Sequence, residues 1–150
     1  FTMVLSSCSS MNVTEETLYD RNVQTVQASV AEEATLDYET KAIFTNATVL
    51  FDFDSFNLSS KSIQTLKGAV TAMKANQAIK ITISGHADER GTREYNLALG
   101  QRRAESVKDY FALNGVAGSR VSVKSYGEER PLAFGTDEMS HAKNRRAEIN

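Results

Sequence analysis

GHADERGTREYNLALGQRRAES, residues 85–106, changes character partway along. Gly85–Gly91 is polar and bounded by glycines, the composition of a loop. From Arg93 to Leu113 the apolar residues Leu97, Ala104, Val107 and Phe111 recur at helical spacing, and Asn114-Gly115 supplies a C-terminal stop. Just upstream, Ile79–Ser84 (IKITIS) alternates with period two, as a half-buried strand does. The unit is therefore a strand, a polar loop and a long helix whose buried stripe is expected to be Leu97, Ala104, Val107 and Phe111.

Working outward, Ala47–Phe53 (ATVLFDF) is β-branched and aromatic and reads as a strand. Leu58-Ser59-Ser60 offers a helix cap, and Ile63, Leu66, Val70 and Met73 carry a helix to about Ala75. Val121–Tyr126 is a further strand, Gly127–Thr136 a loop, Asp137–Lys143 a short helix and Arg146–Ile149 a last strand. The order β-α-β-α-β-(α)-β predicts an α+β domain, a mixed sheet with two main helices on one face.

Charge divides the chain. Residues 1–46 hold seven acids against two bases, whereas all eight glycines and the single proline, Pro131, lie beyond residue 46. The expected organisation is a leader remnant over residues 1–8, an acidic tether over 9–46 and a folded domain over 47–150. Val23, Val26 and Val30 give the tether one marginal helical pattern. As a random coil it would average roughly 35 Å and reach at most about 130 Å, enough to bridge two layers of an envelope. Leu5-Ser6-Ser7-Cys8 resembles a lipobox, which implies lipidation at Cys8; the other reading is an incidental cysteine near a frayed end.

Three segments concentrate polar residues: FDFDSF (51–56), GHADERG (85–91) and NLALGQRRAES (96–106). Strand ends and helix starts converge on one rim in such an arrangement. Asn96 and Arg103 are seven residues apart, about 700° of rotation, so they share a helix face within roughly 20°, while Arg102 is turned about 100° away. If Asn96 faces the loop holding Asp88, Arg103 does too. An aspartate beside an arginine suits a zwitterionic ligand, the arginine taking a carboxylate in bidentate fashion and the aspartate an ammonium. On spacing alone, an ion pair between Asp88 and Arg103, or an Asx turn at Asp88, fits at least as well.

The run GHADERGTREYNLALGQRRAESVKDYFALNGV (85–116), with SYGEERP (125–131) and KNRRAEI (143–149), resembles the peptidoglycan-associated lipoprotein family and, more broadly, the C-terminal domain of outer membrane protein A. The likeness covers about residues 47–149. It implies a non-catalytic domain that grips the diaminopimelate of the peptidoglycan stem peptide, with Asp88 and Arg103 as ligand-binding residues. By the same resemblance Asp54, Phe53, Asn96 and Leu99 line the pocket and Arg145 supports it. The implied setting is the periplasmic face of a Gram-negative outer membrane, with lipid at Cys8, peptidoglycan as ligand and the Tol periplasmic propeller protein as a further partner. Departures are Asn57, where the family often has Asp, and Arg93, where it commonly has Pro. Alternatives are the wall-anchoring domain of a flagellar stator or porin-like barrel protein, and a cell-wall hydrolase.

Other chemistry is not indicated. His86 and His141 are the only histidines, with no metal-ligand spacing, so neither a metal nor another cofactor is expected. The adjacent acids Asp88 and Glu89 do not make the opposed pair of a glycoside hydrolase. Arg102, Arg103, Arg145 and Arg146 lack interleaved aromatic residues, which argues against nucleic acid. No apolar run is long enough to span a membrane as a helix.

Overall fold

Strand periodicity and helix caps set the framework. In the computed structural model, which describes residues 37–150, α1 (Tyr38–Thr45) precedes β1 (Val49–Leu50), α2 (Ser60–Ala75) and β2 (Ile81–His86). α3 (Arg93–Leu113), a single 3-10 turn (Gly118–Arg120), β3 (Val121–Gly127), α4 (Glu138–Asn144) and β4 (Arg146–Ile149) follow. The sheet order is β1-β4-β2-β3, with β2 and β3 parallel and the other two pairings antiparallel. The mixed α+β sheet expected from the element order is the one observed. Cys8 and the Val23–Val30 pattern lie outside the described residues.

Helix starts are as the caps dictate. Ser59 accepts from the Ser62 N–H and Thr92 from the Tyr95 N–H, each filling a donor left open in a first turn. α2 and α3 cover one sheet face, burying Leu66, Met73, Ile83, Val107 and Phe111. The other face carries Ser84 and His86 of β2 beside Arg146 and Glu148 of β4 around an open cavity.

Four expectations are corrected. The compact unit begins at Tyr38 rather than Ala47, because α1 packs Phe44 into the core. The first strand spans only Val49–Leu50: the chain then turns, with Ser55 N–H donating to Asp52 O and Asp54 in the left-handed region at φ 54°. Gly85 and His86 belong to β2 instead of the loop, since β2 stays paired with β3 through a bulge to Gly127. Leu97 is 45% exposed, and the buried face of α3 runs instead through Asn96, Leu99, Gly100, Arg103, Ala104, Val107 and Phe111.

That shift has a packing cause. A Cβ on Gly85 would lie 1.7 Å from Gly100 O, and one on Gly100 2.4 Å from Ser125 Oγ. Two glycines thus let β2 and α3 meet backbone to backbone. This contact centres the helix on Gly100 and draws Asn96 and Arg103 to the end of β2.

Candidate binding site

Where β2 ends, a cavity of about 400 Å³ opens, bordered by the 51–56 turn, the 87–92 loop and the start of α3. Six of the seven expected residues, Phe53, Asp54, Asp88, Asn96, Leu99 and Arg103, line it. The seventh, Arg145, stands behind Asp88 with Nη1 3.7 Å from Oδ2.

Arg103 is 0% exposed and sits at the base of the cavity. Its Nε donates to Ser55 O (2.8 Å), Nη1 to His86 O (2.9 Å) and Nη2 to Asp52 O (3.2 Å). The side chain staples the 51–56 turn to the end of β2 and still has N–H groups to offer, since a guanidinium carries five donors. Burial, aided by the nearby Arg145 charge, lowers it to about 10, and Asp88 and Asp54 pull the other way, so it stays charged at neutral pH.

Asp88, 5% exposed, accepts from the Arg90 N–H (3.0 Å), the Asx turn foreseen among the readings of its loop. It also takes the Arg90 fork: Nε on Oδ1 at 3.2 Å and Nη2 on Oδ2 at 2.8 Å. Burial pushes its carboxyl up, but these bonds and the Arg90 charge outweigh it and hold Asp88 below the usual carboxylate range. Asp88 therefore pairs with Arg90, and at longer range with Arg145, rather than with Arg103.

Asn96 and Arg103 are both buried on one face of α3, as their spacing requires, whereas Arg102 is exposed. Asp88 and Arg103 are both nearly covered, at 5% and 0% exposure, so truncating either also costs the fold. Arg103→Ala would strip three main-chain carbonyls of their donors. Sequence reasoning missed Arg90 and Tyr95. Arg90 lies over the 60% exposed Phe53 ring at 4.3 Å, and Tyr95 donates its hydroxyl to Asp54. The Asp-x-Arg spacing at 88–90, inside so short a loop, was the available signal for the first.

Arg145 donates from Nε to Phe51 O and from Nη2 to Glu138, tying the start of the 51–56 turn to α4. His86 supports the site through its carbonyl, while its ring lies on the far sheet face, stacked on Tyr126. Burial, reinforced by Arg146, lowers that imidazole to about 4, against the opposing pull of Glu148. Among the described residues no cluster of three metal-ligating side chains exists, and no helix is long and apolar enough to cross a membrane.

Comparison with known proteins places the fold in a family. The OmpA family model matches residues 50–145. The peptidoglycan-associated lipoprotein of Pasteurella multocida (strain Pm70) is 48% identical over 100 residues, 67% of each chain. That of Pseudomonas putida is 44% identical over 131 residues, 87% of this chain and 74% of its own. The crystal structure of the peptidoglycan-associated lipoprotein from Burkholderia pseudomallei superposes with a TM-score of 0.67 at 44% identity, covering 68% of this chain and 86% of the other. With the family model matching residues 50–145 and relatives at 44–48% identity, the chain belongs to the OmpA family.

Proposed function

We propose that this chain binds peptidoglycan non-covalently and anchors the outer membrane to the cell wall, gripping the diaminopimelate of the stem peptide between Asp88 and Arg103. The observation that carries the reading is a single cavity whose wall holds a buried carboxylate and whose base holds a buried guanidinium. The free end of diaminopimelate bears one ammonium and one carboxylate, and both match. Leu99 and Phe53 give the alkyl chain an apolar surface. The chain is a binder, not an enzyme: its relatives are named peptidoglycan-associated lipoproteins and its domain is of the OmpA family.

Relatives at 44–48% identity favour the lipoprotein over a stator or barrel protein. A lipid anchor at Cys8, residence on the periplasmic face of the outer membrane and docking of the Tol propeller protein belong to the same reading. Co-sedimentation with purified sacculi tests it. The wild-type chain is expected to pellet with the wall and release no soluble muropeptides, and Asp88→Asn to stay in the supernatant. Wild-type levels of pelleting by a folded Asp88→Asn would remove the site assignment.

A further inference from the structure

Asp88 meets the cavity with its acceptors largely taken. An ionised carboxylate offers about four acceptor positions. Arg90 alone fills three, through its main-chain N–H and Nε on Oδ1 and its Nη2 on Oδ2. Close to Oδ2, at 3.7 Å, waits Arg145 Nη1, buried and without a hydrogen-bond partner. A ligand ammonium cannot reach a fully formed set of bonds on this carboxylate while the Arg90 side chain stays.

The three arginines around Asp88 differ in how firmly they are held. Arg103 and Arg145 are buried and bonded to main-chain carbonyls. The Arg90 side chain is 38% exposed, rests over Phe53 and has an alternative carboxylate, Glu138 Oε2, 3.6 Å from its Nη2. It is the one member of the trio with somewhere else to go.

We propose that Arg90 is an exchangeable occupant of the cation position, standing where the ligand ammonium goes and swinging towards Glu138 when that ammonium arrives. The inference deepens the peptidoglycan reading and rests on it. Asp88 is not left as an unpaired buried charge during the exchange, because Arg145 Nη1 stands ready beside Oδ2. Arg90 thereby acts as a selectivity residue. A ligand that brings only a carboxylate has nothing with which to displace it, and one that brings a cation binds less tightly by the fraction of time the position is free.

Calorimetric titration of the full chain tests this with two probes: a soluble stem peptide ending in diaminopimelate with its free ammonium, and the same peptide acetylated at that nitrogen. Arg90→Gln is expected to bind the free-ammonium peptide about 5–10-fold more tightly than wild type, as removal of a competing state requires. It should bind the acetylated peptide no more tightly than wild type does, since that probe brings no cation to claim the freed position. Arg90→Lys, which keeps the charge but loses the fork, should fall between, and carries the same expectation if Arg90→Gln does not fold. Equal or weaker binding by these variants, with wild type binding and Asp88→Asn not, overturns the exchange and leaves the proposed function standing. A wild-type chain that binds neither peptide overturns both.

Discussion

From Arg93 to Arg103 the buried face of α3 carries Asn96, Leu99, Gly100 and Arg103; from Ala104 to Leu113 the same face carries Ala104, Val107 and Phe111. The second half is ordinary core, an apolar stripe against a sheet. The first half buries an amide and a guanidinium at equal depth, which is costly unless each polar group is bonded. Arg103 meets that condition through three carbonyls, whereas Asn96 Nδ2 lacks a partner and lines the cavity. One helix thus serves two ends: its apolar half makes the domain cohere, and its polar half holds a cavity open at the rim.

The contact of α3 with β2 at Gly100 should be the least tolerant point. Gly85→Ala places a methyl group 1.7 Å from Gly100 O, main chain against main chain. A loss of more than about 4 kcal/mol is expected in urea unfolding, because neither backbone can yield cheaply. A near-native midpoint would show that α3 does not need its close approach to β2.

Next come two substitutions that should separate the halves. Phe111→Ala should cost about 3–5 kcal/mol by opening a cavity in the core. Its folded fraction should still pellet with sacculi. Arg103→Lys keeps the charge but not the fork, and is expected to lose at least about 10-fold in sacculus binding, since lysine cannot reproduce the bidentate geometry. Its melting temperature should fall as well. If Phe111→Ala abolished binding by folded molecules, or Arg103→Lys spared it, the division of labour along α3 would be wrong.

Two pH experiments probe smaller differences between the two regions. His86 titrates near 4 in the folded state against 6.5 unfolded. Below the unfolded value the unfolded chain takes up the proton first, so stability falls as pH drops through that window, by up to about 3 kcal/mol. His86→Gln should flatten that stretch of the unfolding curve. The smallest effect belongs to Asp88, whose folded value is depressed. Its contribution is present above the unfolded carboxylate range and lost as pH falls through the folded value. Asp88→Asn should remove this acid-end slope, and an unchanged slope would mean that the Arg90 pair contributes nothing to folding.

How much was legible follows from the same contrast. Where burial is apolar, periodicity located the elements: Arg93–Leu113 and Arg146–Ile149 form over the expected residues. Where burial is polar, periodicity pointed the wrong way. It put Leu97 in the stripe, because a hydrophobic pattern cannot register a buried arginine or a glycine contact. Geometry alone picked Arg103 over Arg102, and the family resemblance supplied Asp54 and Arg145, which no spacing rule links to Asp88. The main-chain bonds of Arg103 were invisible to any reading of residue types, since carbonyl acceptors have no sequence signature.

The pairing of β1 with β4 has a consequence in time. Val49 and Leu50 find their partners at Ala147 and Arg146, and Arg145 binds Phe51 across 94 residues of chain. Closures that long are slow and come after local structure has formed. The helices and the β2–β3 pair can assemble before β4 is made, and Arg103 of α3 can already hold the 51–56 turn, but the bond from Arg145 to Phe51 forms only once the β4 segment arrives. The edge strand β1 and the Arg145 support behind Asp88 are therefore the late parts of this fold, completed after the helices and the β2–β3 pair.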